Sequence, residues 1–537
     1  MREWSVSQRR ALVISLTSLA VVLALVFHFR AMSGVPAFVL NADDGYIHAH
    51  IADNLARTGV LGLNPGVQSG GSSSLPWTLL LAALVEFGVS ADRGAWLLSL
   101  VFWGLSALSG LLLISALLPR GAAWWVAGFG LVASGHLLAV SLSGLEAPLF
   151  LFCVLTSLLC QHEGKWVRAA LWAALAVSTR PEGILLAVTV VLVALSRRQP
   201  LSAIRREGWR ALLLPAASFA SLAVTLSVLR AMGGELPSTL EGRRWLAELP
   251  RMPWDHPDET IRASKLFVWS LGHRLSQYIG PRYLPGVVWS GMLLSLAGVG
   301  WIAMLRGGGV SRRIAVYIVL HFLFFLLLLP TPGQLGRYLT PIWALLPMVA
   351  TMGWLVVRSW GPIRRIPGAA VIVPALMVAG YVPHVIRWSG WHAGAIHHMS
   401  SVHRAAAQWA AGHIDVAEPI AAFDIGLLGW TVPHRIVDLG GITGRESLES
   451  IRRGDVPALL EKEGVRYVIL PEFLDEQRWH VAGLLQFPVE QLEELRRFAL
   501  TPDEIDHVWP TIIACPALGI YRWLGPGNGD NTFEPRT

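Results

Sequence analysis

Charge is scarce in this sequence. Only 15% of its 537 residues are Asp, Glu, Lys or Arg, where a soluble protein carries roughly 25%. With 53% of the residues hydrophobic and gathered into runs, that shortage excludes a water-soluble globule. Cysteine is nearly absent too. Cys153, Cys160 and Cys515 give no disulfide framework, and no CxxC or Cys/His spacing of a zinc site occurs. Internal repeats and low-complexity tracts are missing, so nothing suggests the two related halves of many secondary transporters.

What is abundant is apolar sequence, with a mean hydropathy of +0.51. Ala11 to Phe29 is long enough to cross a bilayer as a helix. Arg2, Arg9 and Arg10 precede it and should hold the N-terminus in the cytoplasm. No small-x-small cleavage site follows, so a retained anchor is expected. Further runs at 95–118, 122–140, 148–159, 169–178, 184–195, 211–229, 287–305, 314–329, 340–357 and 369–386 bring the expected crossings to about eleven. Arg and Lys gather in every second loop, for example Arg197-Arg198 with Arg205-Arg206, and Arg358 with Arg364-Arg365. The net charge of +7 is thus a topology signal and not a nucleic-acid surface.

Two soluble parts stand out. The first outer loop, 31–94, contains Ile47, Ile51 and Leu55 at helical spacing, an amphipathic helix ended by Gly59. Leu75 to Phe87 is short for a crossing and is expected as a second juxtamembrane helix. From about Trp388 the composition becomes that of a soluble domain, which divides the chain into 1–387 and 388–537. A helical pattern at Val402–Ile414 precedes strand-like segments at Ile420–Asp424, Arg435–Leu439, Tyr467–Leu470 and Thr511–Cys515. Such alternation suggests a small α/β domain. An odd number of crossings from a cytoplasmic N-terminus places it outside. The expected fold is a polytopic α-helical membrane protein with an extracytoplasmic α/β domain, multi-pass in a bacterial plasma (inner) membrane.

Asp43-Asp44 emerges just after the first crossing, beside the outer headgroups. Nucleotide sugars and ATP are not supplied there. Chemistry at that surface needs a donor that travels in the bilayer, which points to lipid-linked substrates.

A series of segments carries a resemblance. They are Asp43-Asp-Gly-Tyr with Asn54-Leu-Ala-Arg, Gly71-Ser-Ser-Ser-Leu-Pro-Trp, Gly144-Leu-Glu-Ala-Pro-Leu and Thr179-Arg-Pro-Glu-Gly, followed by Gly234-Glu-Leu-Pro-Ser-Thr and Gly336-Arg-Tyr-Leu-Thr-Pro. In the tail, Asp424-Ile-Gly-Leu-Leu-Gly and Val437-Asp-Leu-Gly-Gly-Ile-Thr also fit. In order and spacing they resemble the GT-C membrane glycosyltransferases that use polyprenyl-phosphate sugars, above all actinobacterial cell-wall arabinofuranosyltransferases. The resemblance implies transfer, with inversion, from a polyprenyl-phosphate carrier to an envelope glycan, lipid or protein. Decaprenyl-phosphate-arabinose is one such donor. It also implies an acidic general base in the first outer loop, on Asp43 or Asp44.

The residues themselves bear on that chemistry. Adjacent carboxylates near a low-dielectric boundary raise one another's pKa, which suits a base working near neutrality. The bland alternative is that Asp44 caps the helix that follows. His48, one turn on, either orients Asp44 or is a surface histidine. Arg180 lies at the outer end of a helical hairpin, placed to meet a donor phosphate or to pair with Glu182 or Glu146. Arg337 and Tyr338, at another outer junction, offer a phosphate contact or a headgroup contact, and Glu146 is expected to pair with a basic neighbour. A magnesium or manganese ion on Asp43 and Asp44 is compatible with hard oxygen ligands. His397, His398 and His403 lack the partners of a metal site. Asp424 and Asp438 end expected strands, in structural or acceptor-binding roles. A flippase of lipid-linked sugars would need polar groups at mid-membrane, and a polysaccharide polymerase or ligase would favour long Arg-rich outer loops.

Overall fold

A computed structural model describes residues 6–119, 121–196, 209–231, 257–277, 284–330, 334–366, 368–473, 478–506 and 515–525. Arg2, the basic pairs Arg197-Arg198 and Arg205-Arg206, the motif at 234–239 and most of the strand expected at 511–515 lie outside the described residues.

Each of the eleven expected crossings is helical. Among the described residues, eight helices are long and apolar enough to cross a membrane, from Arg10–Met32 to Ala369–His413. The other three, Ala147–His162, Trp166–Thr179 and Pro181–Ser196, are shorter apolar helices. The chain is a multi-pass membrane protein. Two helices fall in the first loop as expected, α1 (Asp43–Thr58) and α2 (Leu75–Glu86). Gly59, at φ 72°, ends α1 in the left-handed conformation that suits glycine.

Close packing inside the bundle rests on small residues. Leu284–Arg306 crosses Thr340–Val357 so tightly that a Cβ on Gly353 would overlap the Leu296 carbonyl, and one on Gly300 the Val349 carbonyl. Paired glycines let helix backbones touch where lipid offers no hydrophobic drive to association. An aromatic-walled cavity opens between these helices and Ala369–His398, lined by Trp289, Trp343, Tyr381, His136 and His384.

The last crossing departs from expectation at its C-terminal end. Instead of stopping near Ile386, its helix Ala369–His398 continues through a π-helical turn, Met399–Arg404, into Ala405–His413. The polar residues after Trp388 therefore mark the exit from the bilayer and not the end of the helix. The soluble domain is joined by continuous helix.

That domain carries a five-stranded sheet: β1 (Ile420–Ala422), β2 (Ile436–Asp438), β3 (Tyr467–Glu472), β4 (Leu492–Ala499) and β5 (Ala517–Trp523), in the order β2-β1-β3-β5-β4. β1 runs parallel to both neighbours, while β3–β5 and β5–β4 are antiparallel. β5 is not among the expected strands, and neither is β4. The β4 sequence, Leu-Glu-Glu-Leu-Arg-Arg-Phe-Ala, has the composition of a helix, but an edge strand tolerates charge that a central one would not.

The opposite edge is covered by the first loop. Asn64 donates from Nδ2 to the Ile436 carbonyl at 2.9 Å, and the Ile436 N–H donates to Asn64 Oδ1 at 2.8 Å. One side-chain amide thus stands in for a neighbouring strand on β2. Asp438 accepts from the N–H groups of Gly440, Ile442 and Thr443 and from the Thr443 hydroxyl. The loop so fixed presses on Gly71 (φ 100°), where a Cβ would sit 2.8 Å from Thr443 Cγ2.

Replacing Gly353 by Leu should force the two crossing helices apart, destabilising the bundle by about 1–3 kcal/mol or more. Thermal unfolding of the purified variant in detergent reads this directly. An unchanged midpoint would refute the close approach.

Candidate active site

The start of α1 is held from three sides. The Leu40 N–H donates to Tyr46 Oη at 2.9 Å, and Asn41 Nδ2 donates to the Ala139 carbonyl at 3.0 Å while lying 2.9 Å from His392 Nδ1. Arg404 donates to the carbonyls of Ala37 and Phe38. These contacts fix where Asp43 and Asp44 point, and the two part ways.

Asp43 turns into the soluble domain. Its Oδ2 accepts from the Gly426 N–H at 2.8 Å and its Oδ1 from the Leu427 N–H at 2.7 Å. It thereby fills the open N–H groups at the start of the short helix Gly426–Thr431. His403 Nδ1 lies 3.7 Å away, and the residue is 7% exposed. Asp44 turns the other way, where Arg337 Nη2 donates to its Oδ2 at 2.5 Å. Neither carboxylate caps α1, whose N-cap is Ala42 with no side-chain bond.

Arg337 comes from the turn Gln334–Leu339, in which Leu335 and Gly336 both adopt positive φ (58° and 67°). His136 Nε2, 2.6 Å from the Leu335 carbonyl, and His321 Nε2, 2.8 Å from the Tyr338 carbonyl, brace it. Arg337 is 4% exposed, and beyond its bond to Asp44 its Nε and Nη1 have no hydrogen-bond partner. Buried guanidinium N–H groups without acceptors are costly. Tyr338 stacks on Phe325, with ring centroids 5.1 Å apart, and lies under both Arg180 (5.1 Å) and Arg337 (5.4 Å).

Arg180, between Trp166–Thr179 and the turn Pro181–Ile184, donates from Nη1 to Glu146 Oε1 at 2.7 Å and from Nε to Glu182 Oε1 at 2.5 Å. Both expected ion pairs therefore form at once. Glu146 Oε2 is 3.4 Å from His48 Nε2, which is also 3.4 Å from Ser73 Oγ. His48 is buried and faces Glu146, so it is not a surface histidine. Helical spacing from Asp44 set its height on α1 but not the wall it meets.

Electrostatics follow the geometry. Burial alone would raise the Glu146 pKa, but Arg180, then His48 and Arg337, hold it down at about 2. Burial lifts Asp43 to about 6, against the two backbone N–H groups that favour its ionised form and with help from Asp44. Burial and then the Asp43 and Asp44 charges push Asp424 well above the usual carboxylate range.

Eight residues spread from position 43 to position 338 were expected to matter, and seven meet in one buried network: Asp44, His48, Glu146, Arg180, Glu182, Arg337 and Tyr338. The eighth, Asp43, adjoins it and binds the soluble domain. The supports Asn41, Asn64, His136 and Arg404 were not anticipated, because each acts on a backbone carbonyl or N–H remote in sequence. Among the described residues no three His, Cys, Asp or Glu stand where they share a cation. With Asp43 on backbone N–H groups and Asp44 on Arg337, this donor set does not fit a divalent ion.

Comparison with known proteins places the fold. A family model described as a domain of unknown function (DUF8728) matches residues 394–508. No curated protein matches the sequence. The solved structure of the oligosaccharyltransferase AglB from Archaeoglobus fulgidus, in complex with an inhibitory peptide and a dolichol-phosphate, superposes with TM-score 0.51 at 12% identity over 86% of this chain and 69% of that one. ArnT from Cupriavidus metallidurans in the apo state gives 0.50 at 14% identity over 94% and 97%. The arabinosyltransferase EmbB from Mycobacterium smegmatis overlaps more loosely, with TM-score 0.40 at 19% identity over 66% and 31%. The chain therefore shares its fold with AglB and ArnT.

The raised pKa of Asp43 has a consequence for stability. Folded protein binds its proton up to about pH 6, unfolded chain only up to 3.8. The contribution is therefore full below pH 3.8 and is lost as pH rises through 6. Thermal unfolding between pH 4 and 7 should show that decline, and Asp43→Asn should flatten it; an identical slope in the variant counts against the assignment.

Proposed function

We propose that this chain is a glycosyltransferase that moves a sugar from a polyprenyl phosphate to an envelope glycan, lipid or protein on the outer side of the membrane, with Asp44 as general base. The observation that carries the reading is Arg337, buried against Asp44 with two nitrogens, Nε and Nη1, whose N–H groups have no acceptor. A phosphate oxygen pair is the ligand such a fork matches. AglB, which shares the fold, was captured with a dolichol-phosphate.

Roles then divide by what each group has left to offer. Arg337 takes the donor phosphate. Arg180, with Nε and Nη1 already bonded to carboxylates, chiefly holds Tyr338 and Glu146 in place. An arriving phosphate competes for Arg337 and frees Asp44 Oδ2. Asp44 accepts the proton of the acceptor hydroxyl as that oxygen attacks the anomeric carbon. The bond from that carbon to the phosphate oxygen breaks, and polyprenyl phosphate leaves with its new negative charge on Arg337. The aromatic cavity beneath the Arg337 turn, touching it through His136 and Trp343, gives hydrocarbon room beside the phosphate. Arabinofuranose is the leading candidate sugar through motif resemblance.

Protein in nanodiscs, given synthetic polyprenyl-phosphate arabinofuranose or mannose and envelope extract, should release polyprenyl phosphate. Asp44→Asn should lower the rate about 10²- to 10⁴-fold, as expected for loss of a general base. Arg337→Gln should also abolish thermal stabilisation by polyprenyl phosphate. Wild-type rates in Asp44→Asn would remove it as the base. Orientation has its own test, since the native cysteines are buried. In intact cells an impermeant maleimide should label Val416→Cys, at a position 58% exposed, and spare Lys165→Cys. The opposite pattern would reverse the topology.

A further inference from the structure

The soluble domain has a ligand site of its own to offer, and it lies at the reaction centre. Order β2-β1-β3 makes β1 the strand where direction of travel reverses. The chain leaves β1 through Gly426–Thr431 to reach β2 on one side, then passes over β1 to β3 on the other. Loops leaving the carboxyl ends of β1 and β3 diverge, and the crevice between them is where open parallel sheets bind ligands. That end of β1 faces the first outer loop, since Gly426 and Leu427, just beyond it, donate to Asp43.

Asp424 sits at this point, two residues past β1. It differs from every other acidic group at this corner. Asp43 is engaged by two N–H groups, Asp44 by Arg337 and Asp438 by its own loop. Glu472, ending β3, is engaged by Arg478, Arg497 and Tyr521. Asp424 is half-buried and makes no hydrogen bond or ion pair with any described residue. It is close enough to Asp43 and Asp44 for their charges to act on it. Folding alone gives no return for an unpaired carboxyl held beside two others.

Resting on the glycosyl-transfer reading, we infer that Asp424 binds the acceptor: it takes a hydrogen bond from one hydroxyl of a carbohydrate and so presents a neighbouring hydroxyl to Asp44. The ligand class is a polyol with adjacent hydroxyls, such as the terminal sugar of a glycan. The domain then serves as the acceptor-side wall of the active site, locked in register by Asp43 and Asn64. Asp424 would set acceptor choice without touching the donor phosphate.

The test separates the two sides. Full-length protein in nanodiscs, free of sugar-based detergent, is titrated with methyl glycosides of arabinofuranose, mannose and galactose and followed by saturation-transfer NMR. Thermal stabilisation by polyprenyl phosphate is measured in parallel. At least one glycoside should bind wild type, and Asp424→Ala and Asp424→Asn should each weaken it about five- to tenfold, the worth of one hydrogen bond to a neutral carboxyl. Both variants should keep wild-type stabilisation by polyprenyl phosphate, which also shows that they fold. Equal glycoside binding in wild type and variants, or none in wild type, overturns the acceptor assignment. Absence of polyprenyl-phosphate stabilisation in wild type would instead strike the donor reading.

Discussion

One carboxylate ties the two halves of this molecule together. Asp43, on the first helix outside the membrane, accepts both open N–H groups of a helix more than three hundred and eighty positions later. The bond is local chemistry of a familiar kind, an acid at a helix start. Its partners belong to different halves of the chain, so it fixes a relation and not an element. With Asp43 committed to the soluble domain, Asp44 on the next position must face the opposite way, toward Arg337. Neighbours on a helix point about 100° apart, and here that rotation separates an acid bonded to the soluble domain from one bonded to Arg337.

Beyond this hinge the site is an exercise in compensating charge. Arg180 is enclosed by Glu146 and Glu182, Glu146 extends to His48, and Tyr338 lies under both guanidinium groups. Breaking one member of such a buried set costs roughly 3–5 kcal/mol, because the partner is left uncompensated. The set is nearly closed. Among the described residues the Arg337 fork stays open on one side and the Asp424 carboxyl on the other. The proposed donor anion belongs to the first opening and the proposed hydroxyl-bearing acceptor to the second.

Much of the fold was legible because bilayers impose a simple grammar. Runs of apolar residues broken by alternating Arg clusters marked eleven helical segments, and Ile47, Ile51 and Leu55 marked the surface helix. Parallel strands β1, β2 and β3 showed as short apolar runs ending in acidic residues. The charged edge strand Leu492–Ala499 did not, since an exposed strand and an exposed helix can share one composition. The helix through Trp388 was cut too early for a related reason: polarity reports water, and a helix can continue into water.

The sequence by itself determined that this is a multi-pass membrane protein with a small α/β domain, and which charged residues stand near the ends of its apolar segments. Hydropathy and charge are one-dimensional properties, and the membrane reads them in one dimension. Only the tertiary structure decided that Arg180 is enclosed by two carboxylates while Arg337 keeps free N–H groups, that His48 meets Glu146, and that Asp43 and Asp44 bind different partners. Those distinctions depend on which walls face each other, and pairing across more than a hundred positions leaves no local mark in the chain.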